Sequence, residues 1–186
     1  MSSFEGLRGK LPQIEAELKY SFRNKELLIL SFIHRSFVNE HKYAVFEHNE
    51  RLEFLGDSVL SLIIAEFLYL KYPRHSEGDL SKWRSRLVDA SSCVRFIQKL
   101  NLGHFVLLGR GEKMNDGRGR ETILADLFEA IVGAIYLDGG WECAKRFVFG
   151  HLDGEIDSCS TLLFTIARQI FKIMPKRNIR SRLFIA

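Results

Sequence analysis

Apolar residues recur along this chain at intervals of three and four positions, the spacing that places them on one face of an α-helix. The pattern occupies five stretches: Ile14–Tyr20, Leu27–Val38, Leu52–Tyr69, Val94–Leu100 and Ile123–Tyr136. We find no sustained alternation of apolar and polar residues, the pattern typical of strands. The sequence therefore predicts an all-α fold built as a helical bundle.

Turn-forming residues separate the helical stretches. They are Tyr72-Pro73 with Gly78, Asn101-Leu102-Gly103, the glycine-rich residues 109–119, and Asp138-Gly139-Gly140. Residues 109–120 hold four glycines and four basic residues. This segment lacks the G-K-[ST] ending of a P-loop and the strand that should precede one, so a nucleotide loop is poorly supported. A solvated linker and a nucleic-acid contact loop both remain open.

Composition places the chain among ordinary globular proteins, with 46% hydrophobic and 27% charged residues in a length of 186. The three cysteines, Cys93, Cys143 and Cys159, are odd in number and far apart, which argues against a disulfide framework or a thiolate zinc site. We therefore expect a reducing, cytoplasmic location. No apolar run reaches the length of a membrane-spanning helix, and the first residues do not resemble a signal peptide.

The formal net charge of +4 is distributed unevenly. The last 29 residues contain six basic side chains and no acidic one, which leaves 21 basic against 23 acidic residues in the rest of the chain. The excess of positive charge is thus a property of the C-terminal segment.

A first group of acidic residues lies in the predicted helix after Asn49. At 100° per residue, Glu50, Glu53 and Asp57 fall within a 60° sector. The apolar residues Phe54 and Leu60 flank that sector. An amphipathic helix capped by Asn49, with acids in its first turn, would account for Glu50 but not for Asp57, which lies two turns further along.

A second group lies in residues 122–137, where Asp126 and Glu129 are the only charged residues. Apolar residues cover every side of this predicted helix, which indicates that it is buried. Buried carboxylates are costly unless they are paired, protonated or bound to a cation. A capping box, with Asp126 as N-cap and Glu129 at the third helical position, is the structural alternative.

The two groups together provide four to five carboxylates, and Arg51 is the only base inside either motif. An all-oxygen set of this kind suits a hard divalent ion such as Mg²⁺ or Mn²⁺. Such an ion activates water and stabilises in-line attack on phosphorus. The residues alone therefore predict metal-dependent phosphoryl transfer without specifying a substrate.

At these residues the sequence resembles the ribonuclease III family. NERLEFLGDSVL, residues 49–60, resembles the family signature, and ADLFEAIVGAIYLDGG, residues 125–140, resembles its second acidic motif. HRSFVNE, EGDLSKWRSRLVD and LGRGE, which begin at residues 34, 77 and 108, also match. The resemblance covers about residues 4–157.

The resemblance implies a role for each acidic position. It makes Glu53, Asp126 and Glu129 metal ligands for Mg²⁺, with Mn²⁺ as a substitute, and credits Asp57 and Glu129 with the chemistry. Glu50 and Glu77 match supporting acidic positions at the edge of the site.

The resemblance also implies an all-α homodimer that cleaves double-stranded RNA to leave 5′-phosphate and 3′-hydroxyl ends. Ribosomal precursors and other structured RNAs would be its substrates. Because signature helices pack at the dimer interface in this family, Phe54 and Leu60 are expected there.

Several basic residues near the predicted site are candidates for contacts with RNA phosphates. They are Lys82, Arg84, Arg86, Arg110 and Arg118. For each one taken singly, a solvated surface charge is the favoured interpretation. The six histidines are interpreted as core or surface residues, because the family chemistry uses carboxylates.

The sequence departs from the bacterial pattern after Asp157. We expect a catalytic domain over residues 1–157 and a short basic tail over 158–186, which does not match the double-stranded-RNA-binding domain of bacterial members. The tail is either a basic RNA-binding arm or the product of a frameshift or truncated gene model, and the second is slightly favoured. The alternative function is a truncated, weakly active or inactive dimer that binds RNA without turnover.

Overall fold

A computed structural model describes residues 3–41, 46–114 and 119–150 of the chain. Within these ranges the secondary structure is helical, which confirms the predicted all-α class. The helices are α1 (Ser3–Arg8), α2 (Leu11–Leu18), α3 (Lys25–Ser31), α4 (Arg35–Glu40), α5 (Glu50–Lys71), α6 (Glu77–Leu87), α7 (Ala90–Leu100), α8 (Arg110–Met114) and α9 (Arg120–Gly139). A short 3₁₀ helix covers Gly103–Phe105, and residues 141–150 are helical as well.

Local sequence signals set the helix ends. The Asp89 side chain accepts a hydrogen bond from the Ser92 backbone N–H at 2.8 Å and begins α7. Asn101 ends the same helix in the left-handed conformation, with φ at 51°. Gly140 ends α9 with a positive φ of 78°, a backbone conformation that favours glycine. Three of the predicted breaks, after Lys71, Leu100 and Gly139, therefore coincide with helix ends.

Helix α9 lies at the centre of the core, packed against α5, α7 and α3. Its side chains from Ile123 to Ile135 are buried, with the partial exceptions of Asp126 and Glu129. The prediction that this helix is apolar on every side because it is buried is thus confirmed. The described residues belong to one compact unit. None of their helices is both long and apolar enough to span a membrane.

The stretch Leu27–Val38, predicted as one helix, is divided between α3 and α4. The backbone at His34 is extended, with ψ at 149°, and its N–H donates to the Leu107 carbonyl at 3.1 Å. The Leu107 N–H in turn donates to the Phe32 carbonyl at 2.8 Å. Pairing with a distant segment thus replaces the hydrogen bonds that would continue α3, a contact that the local apolar pattern cannot reveal.

The first part of the glycine-rich segment is helical rather than a loop, because it forms helix α8. Two hydrogen bonds hold its start against α4: the Gly109 N–H donates to Ser36 Oγ at 2.9 Å, and the Arg110 N–H donates to Glu40 Oε1 at 2.7 Å. Residues 115–118 of the segment lie outside the described part of the chain.

The expectation that both Phe54 and Leu60 lie at a dimer interface is wrong for Leu60. Phe54 is 77% exposed, whereas Leu60 is 1% exposed and belongs to the core. Six positions at 100° each place the two side chains about 120° apart around the helix, so they point to different sides of it.

The two capping alternatives also fail. Helix α9 begins at Arg120, so Asp126 lies in its second turn and cannot be the N-cap of a capping box. Asn49 precedes α5 but makes no capping hydrogen bond; its side-chain amide donates to the Ser31 carbonyl at 3.3 Å.

Candidate active site

Helices α5 and α9 cross with their backbones in direct contact at two glycines. A Cβ added to Gly56 would lie 1.8 Å from the carbonyl oxygen of Glu129, and one added to Gly133 would lie 2.3 Å from the carbonyl oxygen of Leu52. Real Cβ atoms do not approach other atoms so closely, so this crossing accepts glycine only. The glycines in both motifs therefore act together to bring the two acidic helices into contact.

This crossing assembles four carboxylates, Glu53 and Asp57 from α5 with Asp126 and Glu129 from α9, which we call the acidic cluster. Glu53 lies one turn before Gly56, and Asp57 is the residue directly after Gly56. Asp57 is exposed, whereas the other three side chains are partly buried.

The members of the acidic cluster repel one another. Burial, followed by the charges of Asp57, Glu53 and Asp126, raises the pKa of Glu129 from 4.5 to about 8. Burial also raises the pKa of Asp126, with the charge of Glu50 as the second cause. The pKa of Glu53 rises for the same reasons, burial first and then the charges of Asp126, Glu50 and Asp57. Without a cation, the cluster therefore holds protons that isolated carboxylates would lose.

Glu50 lies at the edge of the cluster and has basic partners from outside both motifs. Arg35 of α4 approaches it with Nη1 3.2 Å from Oε1, and His48 Nδ1 lies 3.8 Å from Oε2. Arg51 is the only base inside either motif, so both of these partners come from outside the motifs. The spacing within each motif could not indicate Arg35, because its proximity depends on how α4 packs beside α5.

A pocket of about 400 Å³ opens between α4, α5 and α9. Three carboxylates and three nitrogen-bearing side chains line it: Glu50, Glu53, Asp126, His34, Arg35 and Asn49. The pocket therefore has an acidic side that belongs to the predicted site and a hydrogen-bond donor side. Of the donor residues, His34 was interpreted from the sequence as a core or surface residue.

Cys93 of α7 lies beneath the cluster. The buried Sγ of Cys93 is 4.0 Å from Oε1 of Glu129, at the limit of a hydrogen bond in which the thiol donates. Burial raises the pKa of the Cys93 thiol, and the neighbouring carboxylates raise it further, with Glu129 the first of them. The thiol is therefore protonated at neutral pH and supports Glu129 as a weak donor.

The remaining predicted residues lie on exposed surface. Glu77, in the first turn of α6, accepts a hydrogen bond from Ser81 Oγ at 2.6 Å and does not line the pocket. The exposed basic candidates are Lys82, Arg84 and Arg86 on α6 and Arg110 at the start of α8. Arg118 lies outside the described residues. The supporting role of Glu77 and the RNA contacts of these basic residues stay predictions.

The acidic cluster offers oxygen ligands of the kind that Mg²⁺ prefers, but not a closed cage. In the described ranges, no three His, Cys, Asp or Glu side chains lie close enough to hold a metal ion together. Mg²⁺ usually keeps several waters and binds through one or two carboxylates together with substrate phosphates. An open group of mutually repelling carboxylates is compatible with that mode of binding, and its lack of thiolate and imidazole ligands disfavours zinc.

Comparison with known proteins agrees with the fold and with the family that the sequence resembles. A family model described as ribonuclease-III-like matches residues 24–154, and the chain belongs to this family. It is 58% identical over 157 residues to Ribonuclease 3 of Protochlamydia amoebophila, covering 84% of this chain and 64% of that protein. It is 45% identical over 153 residues to Ribonuclease 3 of Geobacillus kaustophilus, covering 82% of this chain and 62% of the relative.

Solved structures show the same relationship. The nuclease domain of ribonuclease III from Campylobacter jejuni is 42% identical, with a TM-score of 0.69 and coverage of 77% of this chain and 94% of that one. A second structure of that nuclease domain shows structural flexibility in the region involved in its dimer formation. The chain spans less than two thirds of the length of these curated relatives. By contrast, it covers nearly all of the Campylobacter jejuni nuclease domain.

Proposed function

We propose that this chain is a metal-dependent endoribonuclease that cleaves double-stranded RNA. The observation that carries the proposal is the backbone contact between α5 and α9, which unites carboxylates from two separate motifs in one partly buried cluster. Membership of the ribonuclease-III-like family supports RNA as the substrate. Products with 5′-phosphate and 3′-hydroxyl ends, the processing of ribosomal precursor, messenger and transfer RNAs, and a cytoplasmic location complete the proposal.

The members of the cluster have distinct proposed roles. Glu53, Asp126 and Glu129 bind Mg²⁺, for which Mn²⁺ can substitute, together with waters and RNA phosphates, because these three side chains are not close enough to hold the ion by themselves. Glu50 and Glu77 support the site from its edge. When bound, the ion supplies a Lewis acid for a phosphoryl oxygen and generates a nucleophile from water at neutral pH. Asp57 is the exposed member, so we assign it to accept the hydrogen bond that orients the attacking water. Glu129 shares the chemistry, and the Cys93 thiol lies 4.0 Å from its Oε1 as a weak donor.

We further propose that the chain acts as a homodimer through the exposed side of α5. Phe54, Leu62 and Tyr69 are 77%, 58% and 72% exposed, although each is a large apolar or aromatic side chain. Their spacing of eight and seven residues places them within an 80° sector, next to the sector that carries Glu50, Glu53 and Asp57. Several large exposed apolar side chains on one side of a helix are typical of a protein interface. The dimer would therefore place its two acidic clusters close to the shared interface.

Cleavage of long double-stranded RNA by the purified chain tests the proposed activity. The reaction is followed with Mg²⁺ and with chelator, at low and physiological salt, because phosphate contacts weaken steeply as salt rises. We expect metal-dependent cutting that Glu129→Gln abolishes while the variant stays folded. Glu142→Gln is the matched control, since Glu142 is exposed on the helical residues 141–150. RNA binding without cutting, from a folded dimer, would instead support the non-catalytic alternative.

A further inference from the structure

The donor side of the pocket has no role in the metal chemistry, although it faces the carboxylates across the same 400 Å³ space. His34 and Arg35 are adjacent at the start of α4, and both line this pocket with Glu53 and Asp126. Cationic and N–H donor groups beside metal-binding carboxylates suit a ligand that is itself anionic. A phosphodiester backbone is such a ligand, because its oxygens accept from N–H donors on one side and bind a cation on the other.

Hydrogen bonding fixes the tautomer of His34. The Ser36 backbone N–H, which can only donate, lies 3.2 Å from Nδ1 of His34 and caps α4. Ser36 Oγ is 2.7 Å from the same nitrogen and accepts from the Gly109 N–H at 2.9 Å, so its hydroxyl hydrogen is free to donate to Nδ1. Since Nδ1 is an acceptor, the ring proton is on Nε2. Burial lowers the pKa of His34, which keeps the ring neutral at physiological pH.

Arg35 provides a charged donor next to this imidazole. Its Nη1 lies 3.2 Å from Glu50 Oε1, and the side chain is 64% exposed. A guanidinium has five N–H donors, and one ion pair to a single carboxylate oxygen leaves several of them for another acceptor. Glu50 therefore orients Arg35 at the pocket without exhausting its capacity to donate.

We propose that His34 and Arg35 form a donor pair that binds an RNA backbone phosphate beside the acidic cluster. Arg35 contributes charge and N–H donors, and His34 contributes its Nε2–H. A phosphate bound here would place the RNA strand next to the carboxylates of the acidic cluster. This inference rests on the proposed function for the identity of the ligand, and it assigns these two residues to substrate positioning rather than to the chemical step.

The chain offers variants that separate this role from folding. His34→Asn keeps the cap of α4, because asparagine is a favoured N-cap residue whose side-chain oxygen accepts the same backbone N–H, but it removes Nε2–H. Arg35→Gln removes the charge. Arg8→Gln is the matched control, since Arg8 pairs with Glu26 at 2.8 Å in an exposed ion pair outside the pocket. Glu50→Gln, alone and combined with Arg35→Gln, tests whether Arg35 acts only through Glu50.

Two measurements are made on the full chain. Binding of a short RNA duplex is measured in the Glu129→Gln background with Mg²⁺, where the RNA is not consumed, over a range of salt concentrations. Steady-state cleavage is measured in the otherwise unchanged chain. We expect Arg35→Gln and His34→Asn each to weaken binding about tenfold or more, the typical value of a hydrogen bond to a charged group, and to raise KM more than they lower kcat.

The salt dependence gives a readout that a structural role would not change. Loss of one phosphate contact reduces the slope of log affinity against log salt by about 0.9, which we expect for Arg35→Gln but not for Arg8→Gln. Equal slopes and affinities for the two arginine variants would overturn the proposal. So would a double variant no worse than Glu50→Gln alone. Failure of the unchanged chain to cut RNA would refute the proposed function, and the binding comparison would still decide the donor pair.

Discussion

Replacing Glu129 by glutamine should stabilise the metal-free protein at neutral and alkaline pH. The carboxyl of Glu129 has its pKa raised from 4.5 to about 8 in the folded chain by burial and by three neighbouring carboxylates. Below about pH 4.5 the group is protonated in both the folded and unfolded states, so it does not affect stability. Between these two values the unfolded chain releases the proton more readily, and stability falls as pH rises.

The magnitude follows from the shift. At 1.36 kcal/mol per pKa unit, a rise from 4.5 to about 8 corresponds to at most about 5 kcal/mol. Glu129 is only partly buried, and screening by solvent reduces this to about 2–3 kcal/mol. Glutamine keeps the shape of the side chain and cannot ionise. The variant should therefore gain this free energy of unfolding over the unchanged chain at about pH 8 and lose the advantage near pH 4.5.

Urea unfolding with chelator, from about pH 4.5 to about pH 9, measures the difference directly. Glu142→Gln, at an exposed position, serves as the control and should show no comparable gain with pH. A Glu129→Gln variant that is equally stable at all pH values would refute the reasoning. That result would mean that neither burial nor the neighbouring carboxylates raise the pKa of Glu129 in the folded chain.

Three further predictions address the crossing, the interface and the metal. Gly56→Ala should destabilise the fold by about 3 kcal/mol or more in urea unfolding, because its Cβ would lie 1.8 Å from the Glu129 carbonyl oxygen. Gly6→Ala, with no atom within 4 Å of the added Cβ, should be tolerated, and equal costs for the two would contradict the close crossing. Phe54→Ser should weaken the dimer at least about a hundredfold in analytical ultracentrifugation, since a twofold interface loses two phenylalanines; an unchanged chain that stays monomeric would exclude this interface. Mg²⁺ should raise Tm, and less so in Glu129→Gln, because a ligand that binds only the folded state stabilises it; an equal or absent shift in both chains would argue against these metal ligands.

Much of the site could be predicted because its chemistry is local. The acids of each motif lie three or four residues apart on one helix, so helical periodicity alone places Glu53 beside Asp57 and Asp126 beside Glu129. The scarcity of charge in residues 122–137 likewise indicated that this helix is buried. The ends of α5, α7 and α9 followed from proline, asparagine and glycine, whose backbone preferences act within a few residues.

Tertiary structure determined the features that depend on contacts between different helices and segments. Leu27–Val38 became two helices because Leu107 pairs with the backbone around His34. Leu60 turned to the core rather than to a partner, since the packing of α5 against α9 determines which sectors of the helix are covered.

The composition of the pocket also depended on packing. Arg35 is paired with Glu50 because the start of α4 lies near the start of α5. The residue spacing within either motif could not predict this ion pair. The sequence by itself thus determined which carboxylates share a helix face. Only the folded chain determined that two glycines bring those helix faces into contact. It also determined that His34 and Arg35 line the same pocket as the carboxylates. Both features depend on contacts between distant segments, and these depend on how whole helices pack.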